Sequence, residues 1–200
     1  MTADRGLRVS AYGTYHHAGE KDERPDRERW LDTAVALGTD TVRVWAGRYA
    51  SAECAPAQRE SIEQDLRELV ALGAERGLRI ATEFHVGTLT DDARSAERML
   101  RAVPGLWTLW QPPVAWTPEQ DIESLRLLKD RVLNLHVYAL DGDGVSLPLK
   151  AKEALWRRWL TEADRPDRLR YATLEFVKDD SPEQFLTDAA TLKGLLRAIG

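Results

Sequence analysis

Apolar positions along the chain fall into two rhythms. Six short segments are dense in β-branched, aliphatic and aromatic residues: LRVSAYG (7–13), DTVRVWAG (40–47), LRIATEF (78–84), LWTLWQ (106–111), VLNLHVYAL (132–140) and YATLEFV (171–177). Each predicts a buried strand. Between them the period lengthens to that of a helix. RERWLDTAVALG places Trp30, Ala34 and Leu37 on one face, with Gly38 as its stop, and RESIEQDLRELVALGAERG aligns Ile62, Leu66, Leu69 and Val70. SPEQFLTDAATLKGLLRAIG opens with Ser181 as N-cap and Pro182 at the first helical position.

Strand and helix thus alternate at a spacing of roughly 25–40 residues, which parallel βα units require. Two architectures use that alternation, an open doubly wound sheet and a closed (β/α) barrel. The first expects a glycine-rich phosphate turn after its first strand, and neither GxGxxG nor GxxxxGK[ST] occurs anywhere. The expectation is therefore a TIM-barrel type fold with parallel strands, in a single domain over residues 1–200.

Parallel barrel strands end on a common rim, where such folds build their sites. The six ends carry Tyr12, Tyr15 and His16; Arg43 and Trp45; Glu83 and His85; Gln111; His136; and Glu175 followed by Lys178. Glu83 and His85 are two apart and point the same way from one strand. Glutamates set in apolar strands are costly unless paired or metal-bound, which favours a site over a structural role. Trp30, Trp156 and Trp159 have helical spacing and predict core packing, whereas Trp45, Trp110 and Trp116 fall at or past strand ends and are the pocket candidates. His16 and His17 read equally as rim ligands or as a solvated turn. DGDG (141–144) matches the start of a calcium loop without its later ligands, so it predicts a turn.

Composition removes several functions. The 43% hydrophobic and 30% charged residues describe an ordinary globular chain, and the net charge of −5 offers no general attraction to phosphate backbones or anionic lipids. No nucleic-acid or membrane partner is expected. One cysteine, Cys54, excludes an intrachain disulfide, and the N-terminal MTADRGLRVS lacks the apolar core of a signal peptide, so a cytoplasmic setting is expected.

TVRVWAG after ALG, LRIATEFHVGTLTD, LWTLWQPP, VLNLHVYAL and ATLEFVKDDSPEQFLTDAATLKGLL, in that order, resemble the sugar phosphate isomerase/epimerase family. These are the xylose-isomerase-like TIM barrels of the AP endonuclease family 2 superfamily, which include tagatose and psicose 3-epimerases, inosose-processing enzymes and endonuclease IV. The resemblance implies one divalent metal held by a Glu, an Asp, a His and a Glu, positions that fall on Glu83, Gln111, His136 and Glu175. Gln111 departs from the acid of the family, and Val114 stands where a histidine often follows it. Counted against the family, the chain begins at the third strand, so about six of eight βα units are present. Either the start is truncated, or another chain, in a homo-oligomer, covers the open sheet edge.

The oxygen and nitrogen donors suit Mn²⁺ first, with Mg²⁺, Co²⁺ or Zn²⁺ as alternatives. The chemistry implied is proton transfer on a sugar, sugar phosphate or polyol ketone through an enediolate, with Glu83 and Glu175 as acid and base. Arg43, Trp45, His85, Tyr15 and Lys178 are the substrate contacts. The alternative is a non-catalytic barrel that binds a sugar or a partner protein. An endonuclease-IV-like nuclease ranks behind both, because four histidines are few for a multi-metal cluster.

Overall fold

A computed structural model describes residues 3–20, 26–164 and 170–199. Six parallel strands alternate with helices in a TIM-barrel-like fold. Two compact units divide the chain, residues 1–109 and 110–200.

The first unit holds β1 (Tyr12–His17), α1 (Arg27–Leu37), β2 (Thr41–Trp45), α2 (Pro56–Ala74), β3 (Arg79–Glu83), α3 (Ala93–Ala102) and all but the last residue of β4 (Trp107–Trp110). Its strands pair in chain order, with Thr41 opposite Arg79 and Glu83 opposite Leu109. Ile80, Ala81 and Phe84 are buried together with Ile62, Leu66 and Leu69 of α2, as the helical spacing predicts. Burial of this kind on both faces is what makes parallel strands read as continuous apolar runs.

β1 lies further along the chain than the segment 7–13 suggests. Leu7 is 60% exposed, and the strand runs through Tyr12–His17 with Thr14 and His16 facing inward. Polar inward residues break the apolar signature that marks the other strands. The register to β2 shifts between Gly13 and His17, a bulge that gives this strand extra residues against its partner. His16 is neither a rim ligand nor part of a solvated turn. Its side chain is buried, with Nε2 3.0 Å from Asp65 Oδ2, and Asp65 also accepts the Gly19 N–H at 2.7 Å and pairs with the Arg27 guanidinium. A buried charge demands such partners, and these bind β1 and α1 to α2.

The inward face of α1 also differs from the expectation. Arg27, Leu31 and Ala34 are buried while Leu37 is 45% exposed, so the stripe is rotated toward the buried aspartate. Gly38 ends the helix at φ +71, as its position predicts. After β2, Gly47 takes φ +79 and lies directly against the Ile62 side chain. Alanine there combines a left-handed backbone with a crowded Cβ, and Gly47→Ala is expected to lower unfolding free energy by about 1–2 kcal/mol, read from the urea midpoint.

The second unit holds α4 (Pro118–Leu128), β5 (Val132–Val137), α5 (Glu153–Ala163), β6 (Tyr171–Leu174) and α6 (Pro182–Arg197). β5 and β6 are parallel, with His136 opposite Thr173. Ser181 caps α6 by accepting the Gln184 N–H at 3.2 Å, with Pro182 following. Trp156 and Trp159 are buried, edge to face at 4.9 Å, and Trp110 meets Trp159 at 6.1 Å. Trp110 is therefore a core residue and not a pocket wall: it is fully buried, and its indole N–H donates to Ser124 Oγ at 2.9 Å. Asp141 folds the DGDG segment into a turn by accepting the N–H groups of Asp143 and Val145, both at 2.9 Å. Among the described residues, no helix is long and apolar enough to cross a membrane.

Candidate active site

In the first unit, the ends of β1, β2 and β3 converge on Arg43. Its Nη1 donates to the Thr14 carbonyl at 2.7 Å, its Nε lies 3.1 Å from Glu83 Oε2, and its guanidinium carbon sits 4.3 Å above the Trp45 ring. Gly13 lets this happen, since a Cβ there would stand 3.2 Å from Arg43 Nη2. Glu83 is 6% exposed, so the guanidinium supplies the countercharge that its burial requires. The loop beyond β3 fixes the same residue from behind, where Thr90 Oγ1 donates to the Glu83 carbonyl at 2.5 Å and shares a 2.8 Å hydrogen bond with Thr88.

His85 packs edge-on against Trp45 at 4.9 Å, and His17 stacks on the same ring at 6.2 Å. The Nδ1 of His85 lies 2.8 Å from the Val86 carbonyl. A carbonyl only accepts, so Nδ1 carries a hydrogen, and in the neutral ring Nε2 presents its lone pair. Arg43, Trp45, Glu83 and His85 thus meet, whereas Tyr15 stands 87% exposed on the outer face of β1.

In the second unit, His136 on β5 and Glu175 just past β6 face one another, with Nδ1 and Oε1 3.2 Å apart. Glu175 is placed by its own N–H, which donates to the Val137 carbonyl at 2.9 Å. The chain then turns sharply. Phe176 takes φ +50, and Asp179 and Asp180 take φ +58 and +48, a left-handed conformation that costs a bulky side chain free energy and gathers at functional turns. The Phe176 ring packs edge-on against Tyr138 at 5.4 Å, which holds the turn in place. Gln111 is 7% exposed directly after β4, and Lys178 bonds its neighbour Asp179 at 2.8 Å.

Two donors bound to one divalent ion at about 2.1 Å, at right angles, are separated by about 3 Å. The spacing of His136 and Glu175 fits that geometry, and imidazole with carboxylate is an accepted donor pair. Among the described residues, no group of three or more His, Cys, Asp or Glu side chains is arranged to hold a metal.

The sequence patterns singled out the strand-end residues but missed what supports them. Thr88 and Thr90 lie in a polar loop, with no periodicity to set them apart. Asp121, in PEQDIESL, resembles a solvated first-turn acid and is instead 2% exposed. Its signal was its place one helical turn before Leu125, on the apolar side.

Comparison with known proteins follows the same lines. A crystal structure of the probable 3-DHS dehydratase AsbF from Bacillus anthracis superposes with a TM-score of 0.79 at 19% identity, covering 95% of this chain and 77% of that one. A xylose isomerase-like TIM barrel protein from Mycobacterium smegmatis, in complex with magnesium, gives 0.72 at 17% identity over 99% and 76%. D-psicose 3-epimerase with D-tagatose, from Clostridium cellulolyticum H10, gives 0.68 at 11% over 98% and 80%. No curated protein matches the sequence. The family model described as xylose isomerase-like TIM barrel matches residues 1–159, most of the chain, and the protein belongs to that family.

Proposed function

We propose that the protein is a divalent-metal-dependent isomerase or epimerase of a sugar, sugar phosphate or polyol ketone. The observation that carries this reading is the His136–Glu175 pair, 3.2 Å apart at the ends of adjacent parallel strands, in a chain of this family. His136 and Glu175 would hold the ion, Gln111 and Glu83 being the further ligands that the family resemblance alone implies; Mn²⁺ is the first choice. Magnesium is bound in the Mycobacterium smegmatis relative, which supports the same class of ion. When bound, such an ion polarises a substrate carbonyl and acidifies the adjacent C–H.

The chain supplies the rest. One of Glu83 and Glu175 takes the proton from the carbon beside the carbonyl, and the other returns one. Return to the same carbon from the opposite face epimerises, and return to the neighbouring carbon isomerises. Arg43 fixes the Glu83 carboxylate at Oε2. Trp45 and His85 offer an apolar face and a hydrogen-bond acceptor to substrate hydroxyls, with Lys178 as an outer contact; Tyr15, on the outer face of β1, takes no part.

Equilibrium dialysis against Mn²⁺, Mg²⁺ and Zn²⁺ tests this directly. One ion per chain should bind, His136→Ala should abolish that binding, and chelation should remove activity on ketoses. A second reading, a barrel that binds a sugar or a partner without turnover, is favoured by the uncharged Gln111 and by the absence of a three-residue metal cluster among the described residues. Normal folding with no bound ion and no proton exchange into any ketose would establish it and overturn the first.

A further inference from the structure

A cavity lies wholly within the 110–200 unit, and neither His136 nor Glu175 is among its walls. It has a volume of about 100 Å³ and is walled by Pro112, Trp116, Asp121, Tyr138, Lys152 and Trp159, among others. Its walls are mainly aromatic and proline surfaces. The Tyr138 hydroxyl is already committed, donating to the Pro112 carbonyl at 2.6 Å.

Two buried polar atoms on these walls have no protein hydrogen-bond partner: Asp121 Oδ1, on a residue 2% exposed, and Trp159 Nε1, on a residue 3% exposed. One is an acceptor and the other a donor. Leaving either dry costs free energy of the order of a lost hydrogen bond, so paired orphans of opposite sense in one cavity call for a common occupant. Lys152 adds an ammonium donor to the same walls.

We propose that this cavity is a binding site for a small polyhydroxylated molecule, a monosaccharide or polyol. One hydroxyl accepts from the Trp159 indole N–H and donates to the Asp121 carboxyl, and a neighbouring hydroxyl accepts from Lys152. A hydroxyl suits the pair because it is donor and acceptor at once, as a carboxylate or an ammonium is not. The C–H face of the molecule lies against Trp116 and the prolines.

The experiment is an NMR titration of protein carrying ¹⁵N-labelled indole groups, following the Trp159 N–H resonance, identified by its loss in Trp159→Phe, as D-fructose and then glycerol are added. Saturable movement with D-fructose is expected, and Asp121→Ala should weaken the apparent affinity about tenfold. Lys152→Ala, at the cavity wall, should weaken it severalfold and serves if Asp121→Ala does not fold. A resonance unmoved by either probe up to about 100 mM would show that the cavity holds water only and overturns the proposal. Unchanged affinity in the variants would overturn it too. Because Tyr138 also packs against Phe176 beside Glu175, the titration is repeated on His136→Ala: movement of the Trp159 signal should persist there and be weakened by Asp121→Ala or Lys152→Ala, so that the two readings fail independently.

Discussion

Glu175→Gln is expected to lower solvent deuterium exchange into a ketose substrate by at least about a thousandfold while leaving the substrate's KM within a few-fold. Glutamine has the size and shape of glutamate, and residue 175 is positioned largely by its backbone, through the N–H donated to Val137 and the turn locked by Phe176. The Glu175 side chain is 30% exposed, so the exchange strips no buried cluster and the fold should survive, with an unchanged melting temperature. What disappears is a basic oxygen at that point together with one charge toward the proposed ion, so exchange is compared with the ion at saturating concentration. Positioned acids and bases contribute about 10²–10⁴ in rate, and the loss of one member of a two-base relay falls at the upper end. Full exchange in the variant would remove Glu175 from the mechanism.

A parallel loss at Glu83 would carry less information. Glu83→Gln also removes the countercharge of Arg43, 3.1 Å away, and releases a guanidinium that holds β1 through Thr14 and covers Trp45. A fall in activity there mixes chemistry with geometry. The two glutamates, equivalent in sequence, are physically different: one is buried against an arginine, and the other is half-exposed beside an imidazole.

That difference marks where sequence reasoning succeeds and where it stops. β2 to β5 were legible because parallel strands covered on both faces must be apolar nearly throughout, and a run such as VLNLHV has no other comfortable fate; β6 forms where its apolar run lies but is half-buried along its length, where a buried strand was expected. β1 was not, since Thr14 and His16 face inward and are satisfied by partners 29 and 49 residues away, information that no local window contains. The α1 stripe failed for the same reason: Arg27 belongs to the inward face because Asp65 is there. Trp110 was placed at a pocket by its position at a strand end, but an indole N–H that meets Ser124 on the following helix is content in the core. Strand-end chemistry was legible as a set of residue types. Which members meet was not: Arg43, Trp45, Glu83 and His85 gather, His136 meets Glu175, and Tyr15 faces outward.

Asp121 gives the largest expected effect on stability, and its sign is unusual for a carboxylate. Burial pushes its pKa from 3.8 up to about 7; Lys152 works against the shift and Glu119 adds to it. In the unfolded chain the group ionises near its ordinary value, whereas in the folded chain it keeps its proton until near neutrality. Between those two values the native state binds more protons than the unfolded one, so stability falls as pH rises, where a salt-bridged carboxylate would make it climb. A displacement of about three units corresponds to about 4 kcal/mol lost between pH 4 and pH 8, the loss ending once both states are ionised. Asp121→Asn keeps the shape and removes the titration. Chemical denaturation across this range should therefore show the wild type losing ground steadily to the variant, with the difference between them changing by about 4 kcal/mol, and the variant the more stable at pH 8. Parallel curves would mean that Asp121 ionises in the folded protein as it does in water, and that its carboxylate is solvated through the mouth of the cavity instead of held dry among Trp116, Tyr138 and Trp159.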